Sequence, residues 1–276
     1  MTPRRELWKD GLLAITAMLI CVYLYHIAKD ILDIAVSDSF LSDFLAELVF
    51  AVLVMASVLL LKQTALFHSD VSLLKKGWLS AGLEIAAILY FGLTDIPLML
   101  EATATPPQWL CLLGQAVLVG FCEEVLFRGL IQRAMHRRLG EDSFGHVFLA
   151  IFCSGVLFGL AHLINTDRGN GLLPAVFQAG VNAFMGMYYG AVYFRTGKNI
   201  WYMIVLHSLY DLTLLIASGR LSGQTLNTIL NYGGGELTPK LVLIGVLAWG
   251  AIYLLPTLFI LRPKKLKPLL EERTDV

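Results

Sequence analysis

Val119-Gly120-Phe121-Cys122-Glu123-Glu124-Val125-Leu126-Phe127-Arg128 places two carboxylates and a guanidinium inside an otherwise apolar segment. In a bilayer each such charge costs about 2.5–3.5 kcal/mol even on lenient insertion scales. Groups at that cost persist where they pair with one another, face a wet cavity or do chemistry. Two further apolar segments carry the same anomaly, one at His162 and one at His207 with Asp211. The fold therefore turns on whether these segments cross a membrane.

Composition answers that question. The 276 residues are 57% hydrophobic and 15% charged, with a mean hydropathy of +0.70. Soluble domains carry about 25% charged residues, so the expected fold is an all-α, polytopic membrane helix bundle. At about 20 apolar residues per crossing, eight spans are expected, at roughly 11–28, 44–61, 77–97, 108–130, 146–164, 173–194, 200–218 and 240–261. The third carries Glu84 and Asp95, and hydropathy alone also allows seven.

The distribution of cations separates the two counts. With eight spans, the loops on the side of the two termini hold 16 Lys and Arg and the opposite loops hold 3. That split obeys the positive-inside rule, which seven spans would scramble. Both termini are therefore expected in the cytoplasm. Arg4 and Arg5 precede a long apolar run without a small-x-small cleavage site, so it reads as a retained first span. Arg262-Pro263-Lys264-Lys265-Leu266-Lys267 reads as the cytoplasmic anchor of the last helix, with anionic lipid as the alternative partner.

Net charge is zero, so nothing draws the chain toward nucleic acid. The four cysteines lie within spans and form no C-x-x-C pair, which argues against a disulfide framework or a thiolate metal site. One integral membrane domain is expected over residues 1–276. Asn231-Tyr232-Gly233-Gly234-Gly235 marks a turn. Gly155-x-x-x-Gly159 and Gly186-x-x-x-Gly190 read as faces where helix backbones approach closely. No internal repeat is evident, which weighs against a transporter built from inverted repeats.

The polar groups can meet. Residues 129–139 lack proline and favour helix, so the fourth segment should continue through Arg138 and turn near Gly140–Gly145. In an antiparallel pair pivoting there, Glu123 and His162 both lie roughly 16–20 residues from the turn, and so at similar depth. Glu124 and Arg128, four apart with the acid first, form the favourable helical pair. Glu123, rotated about 100° from Glu124, is the carboxylate left over, suited beside a histidine to act as general base on water. His207 and Asp211 are also four apart; the carboxylate can orient the imidazole, or both can ligate a metal. The bland alternatives are a structural ion pair and packing histidines. Glu47 and Glu84 are candidates for the wall, a gate or a relay. H-E-x-x-H is absent, Ser154-Gly155 lacks the glycine of a rhomboid G-x-S-G, and Tyr210-Asp211 has no G-x-G-D partner.

Glu123-Glu124-x-x-x-Arg128-Gly129, Phe158-x-x-x-His162 and His207-x-x-x-Asp211, in this order on separate spans, resemble the three-motif signature of the CAAX-protease and bacteriocin-processing family. That family includes the type II CAAX prenyl proteases and the bacterial Abi proteins. The resemblance covers about residues 108–215. It implies that Glu123 and His162 activate a water, that Glu124 with Arg128 holds the site, and that His207 with residue 211 stabilises the oxyanion. Asp211 departs from members that carry Asn there; an ionised Asp211 would repel an oxyanion, so it is either protonated or orients His207. Glu124, His162 and His207 are also candidate ligands for a divalent metal such as Zn²⁺, and a metal-free glutamate mechanism fits the same residues. The implied function is an intramembrane endopeptidase, glutamate-type or metallo-type, acting on a membrane-associated peptide or protein. The rivals are a non-catalytic immunity or scaffold protein and a proton-coupled transporter.

Overall fold

A computed structural model describes residues 3–69, 71–168, 171–218, 221, 238–264 and 266, leaving aside the side chains of 3–8, 76 and 166–168. The turn expected at 231–235, most of the 219–239 connection, and Lys265 and Lys267 of the basic run lie outside the described residues. Helices α1 (Pro3–Ala35) and α2 (Ser39–Leu60) form a hairpin. Asp38 starts α2, its Oδ1 accepting from the backbone N–H of Phe40 at 2.9 Å and of Leu41 at 3.1 Å. α3 (Val71–Gly77), α4 (Gly82–Thr94) and α5 (Ile96–Leu100) follow, with a 3₁₀ turn at Trp78–Ala81 before α4.

α6 (Pro106–Glu124) begins at two prolines, which donate no N–H and suit a first turn. It runs without interruption through a π-helical stretch, Val125–Gln132, into α7 (Arg133–Leu139), giving 34 helical residues. Gly140, at φ +92°, ends the run as its composition suggests. Ser143 caps α8 (Phe144–Ala161), its Oγ accepting from His146 N–H at 3.2 Å. A 3₁₀ segment (His162–Arg168), α9 (Leu172–Arg195), α10 (Ile200–Ala217) and α11 (Pro239–Leu261) complete the described chain.

Six of these helical stretches are long and apolar enough to cross a membrane. The other two expected spans are helical but fall short in different ways, so a count of eight is approximate. Trp78–Thr94 is short. α9 is long, but it carries Gln178, Asn182 and three tyrosines because it is the central helix, buried without a break from Met185 to Phe194.

Contacts define two ends of the bundle. At one, Arg137 Nη1 donates to Gln63 Oε1 at 3.1 Å and Nη2 faces Asp10 at 3.8 Å. There too Lys198 pairs with Glu141, and Trp201 Nε1 donates to Phe67 O at 3.1 Å. At the other, Gln108 Nε2 donates to Asp38 Oδ2 at 3.0 Å, and the N–H groups of Thr103 and Ala104 donate to Leu221 O at 3.0 and 3.1 Å.

The two glycine faces pack as expected. A Cβ at Gly155 would lie 2.8 Å from Ala183 O, one at Gly159 2.3 Å from Ala179 O, and one at Gly186 3.0 Å from Gly155 Cα. α8 and α9 therefore touch backbone to backbone.

Candidate active site

Gly120 is the residue that lets the site assemble. A Cβ there would meet Ser208 Oγ at 2.4 Å and Ser208 N at 2.8 Å, so α10 lies directly on the last turn of α6. That contact sets His207 against the two carboxylates that follow. His207 Nδ1 lies 2.7 Å from Glu124 Oε1, and its Nε2 is 3.5 Å from both Glu123 Oε2 and Asp211 Oδ2. From the C-terminal cap of α8, His162 Nε2 comes within 3.9 Å of Glu123 Oε1. The structure thus brings Glu123, Glu124, His162, His207 and Asp211 together from three helices. The equal distance of Glu123 and His162 from the turn permits this approach.

Arg128 faces Glu124 Oε1 at 2.9 Å, with both side chains buried. Its guanidinium lies between two rings, 4.6 Å from the Phe158 centroid and 5.2 Å from that of Tyr189. Its Nη2 points at Gly186 O from 3.5 Å, and Gln132 Nε2 donates to Gly190 O at 2.9 Å. The second glycine face therefore also exposes carbonyls to the π-helical stretch, a role that spacing alone does not disclose. Ser154 Oγ donates to Phe127 O at 2.9 Å, a carbonyl of that stretch, which accounts for this intramembrane serine structurally.

The site opens on a cavity of about 380 Å³ between α1, α2 and the helices that carry the motifs. Glu123, His162, His207 and Asp211 line it, whereas Glu124 and Arg128 lie behind the wall. Side-chain exposure matches this order: 21% at Glu123 and 16% at His162, against 0% at Glu124 and 1% at Arg128. Glu47 also lines the cavity and accepts a hydrogen bond from Tyr25 at 2.6 Å. In the same lining Asn165 Nδ2 donates to Gln178 Oε1 at 2.9 Å. Glu84 is outside the lining, buried beneath Tyr189. Sequence reasoning missed Gly120 and Tyr189; the only sign of either was a small or polar residue in an apolar span.

Glu124, His162 and His207 do not point at one centre, since Glu124 Oε1 already meets Arg128 and His207 while His162 faces Glu123. No group of three or more His, Cys, Asp or Glu among the described residues has the arrangement of a metal site.

Residues 105–213 match the model of a family described as type II CAAX prenyl endopeptidase Rce1-like. The similarity to that family is confined to this segment. No curated protein matches the chain. The match begins at the cap of α6 and ends two residues beyond Asp211, so the Rce1-like segment holds every side chain of the constellation. With six candidate spans among the described residues, the chain is an integral, multi-pass membrane protein with a segment similar to a protease family.

Proposed function

We propose that this protein is an intramembrane endopeptidase that hydrolyses a peptide bond of a membrane-associated protein or peptide, with Glu123 and His162 activating the water. One observation carries the reading: the Glu123 carboxylate lies at the cavity wall between His162 Nε2 at 3.9 Å and His207 Nε2 at 3.5 Å. His162 gives its Nδ1–H to Phe158 O at 2.9 Å, which leaves the Nε2 lone pair facing Glu123 in the neutral ring. A water held by that lone pair and by Glu123 loses a proton as it attacks the carbonyl carbon. The same groups return the proton to the leaving amine.

His207 serves the oxyanion in this scheme. A carboxylate can only accept, so His207 Nδ1–H donates to Glu124, whose charge Arg128 balances. A bare Nε2 lone pair would then face the carboxylates of Glu123 and Asp211. The doubly protonated ring suits that setting and offers an N–H and a positive charge to the tetrahedral oxygen. Asp211 acts on the reaction only through His207, by counterbalancing that charge. Glu124 and Arg128 fix the imidazole from behind.

The reading is metal-free, because Glu124 is engaged by Arg128 and His207. Activity that survives dialysis against a chelator supports it; activity lost and then restored by Zn²⁺ would move the reaction to a metal. The cation distribution further supports both termini in the cytoplasm. Prenylated C-terminal peptides are the substrates to try first, given the description of the matched family.

The experiment is terminal peptidomics of host membranes carrying wild type or Glu123→Gln at equal abundance. New peptide ends seen only with wild type are expected. Identical ends, together with a phenotype the variant retains, would favour the immunity or scaffold reading. Glu123→Gln should lower turnover by about 10²-fold or more at nearly unchanged folded yield, since among the described residues Glu123 forms its ion pairs with His162 and His207 rather than with an Arg or Lys.

A further inference from the structure

Glu84 takes no part in the proposed reaction, yet it is a carboxyl group buried to 1% exposure in the first turn of α4. A carboxyl in such a place is costly, and apolar side chains of similar volume would fill it with less penalty. Stability alone therefore does not explain it. Its Oε1 accepts a hydrogen bond from Tyr189 OH at 2.6 Å. The Tyr189 ring in turn meets the His207 imidazole edge to face, with centroids 5.2 Å apart and planes at 87°. The face of the same ring lies 5.2 Å from the Arg128 guanidinium carbon.

One phenol thus touches the imidazole and the guanidinium that meet through Glu124. The torsion that sets an aromatic ring's plane is broad, so packing alone leaves that plane loosely fixed. Anchoring the hydroxyl 2.6 Å from a carboxylate on another helix fixes where the far end of the ring sits. Because a phenolic O–H prefers to lie in the ring plane, the direction of its acceptor also biases that plane. The His207 Nδ1 contact to Glu124 is short at 2.7 Å, while among the described residues the ion-pair partners of Nε2 stand at 3.5 Å. The direction of Nε2 thus depends on what bears on the ring's faces and edges. Misplacing a reacting group by about 1 Å can cost 10²-fold in rate.

We propose that Glu84 is a positioning residue for His207, acting through the Tyr189 ring. The inference rests on the oxyanion role given to His207 above. Glu84 touches no reacting atom. α4 would then be more than a peripheral span: it would hold a wall of the site from outside the Rce1-like segment, which begins at residue 105.

The test uses the full chain in lipid nanodiscs, with a fluorogenic prenylated C-terminal peptide as substrate probe and ¹⁵N-histidine labelling as an independent readout. The Nδ1–H signal of His207 is assigned by its absence in His207→Ala. Glu84→Ala should lower kcat by about tenfold or more with KM nearly unchanged, and should shift or broaden that signal. Glu84→Gln keeps an oxygen that accepts from Tyr189, and should preserve the signal and most of the turnover. Tyr189→Phe keeps the ring but frees it from its anchor, so it should reproduce Glu84→Ala; the double variant should be no worse than either single one. Should Glu84→Ala not fold, Tyr189→Phe carries the same comparison. A His207 signal unmoved in both Glu84→Ala and Tyr189→Phe overturns the inference, as does a loss that Glu84→Gln fails to rescue. If wild type does not cleave the probe, the endopeptidase reading suffers, while the His207 signal still decides the positioning role.

Discussion

Arg128 is enclosed to 1% exposure, with Glu124 at 2.9 Å and the rings of Phe158 and Tyr189 against its guanidinium. Arg128→Ala leaves Glu124 buried without its cation, and breaking a buried pair in this way costs about 3–5 kcal/mol. Thermal unfolding in detergent should show a large downward shift, and an unshifted midpoint would mean that the pair contributes no stability. Asp211 tests the electrostatics from the other direction. Its Oδ2 is 3.5 Å from His207 Nε2, so in the proposed scheme its charge would offset that of the imidazolium serving the oxyanion. Asp211→Asn, which restores the residue of family members resembled by these motifs, should raise kcat, by up to about tenfold or ~1.4 kcal/mol. A fall would instead mean that Asp211 is needed to keep the Nε2 proton. The Glu124–Arg128 and His207–Asp211 pairs were legible because spacing of four is a property of one helix. The Glu124–His207 and Glu84–Tyr189 contacts were not. They depend on how one helix is rotated against another, and spans that are apolar all round carry little periodicity to report it.

At the level of elements, close backbone approach substitutes for the hydrophobic drive that lipid removes. Gly159 shows how little slack remains, since a Cβ there would stand 2.3 Å from the carbonyl oxygen of Ala179 and 2.7 Å from the Ala183 side chain. Neither a backbone oxygen nor a helical Cβ can swing aside. Gly159→Ala should force α8 away from α9 and destabilise by about 1–3 kcal/mol, the usual range for overpacking. It should also lower activity, because His162 sits three residues further on, at the C-terminal cap of α8. Wild-type unfolding and turnover in this variant would show that the interface tolerates separation. The continuous helix through residue 139 and the turn at Gly140 followed from composition. The π-helical stretch did not, because nothing in Val125–Gln132 marks an i→i+5 pattern. It is sustained from outside, by Ser154 on the Phe127 carbonyl and by Gln132 reaching the Gly190 carbonyl.

Across the whole molecule, the contacts at the two ends of the bundle turn the span count into a measurable topology. The N-terminal part of α1 and the segments near 63–67, 137–141 and 198–201 meet at one end, and three of these segments belong to the Lys- and Arg-rich loops. Asp38, the 103–104 loop and Leu221 meet at the other. Trp78–Thr94 is short for a crossing, yet the stretch from Trp78 to Ala104 reaches from one end of the bundle to the other. Trp78 O accepts from Tyr202 OH at 2.7 Å, beside the start of α10, while Thr103 and Ala104 reach Leu221, just past the end of α10. The third segment, continued by α5, therefore runs the full length of an 18-residue candidate span. Single cysteines introduced at residues 64, 103, 142 and 197, in a background with the four native cysteines replaced, should separate by this rule. Positions 64, 142 and 197 should react with an impermeant maleimide only after cells are opened, and position 103 should react in intact cells. Labelling of position 103 only in opened cells would make the third segment a re-entrant hairpin, reduce the crossings below eight, and separate the Glu84 anchor from any spanning role.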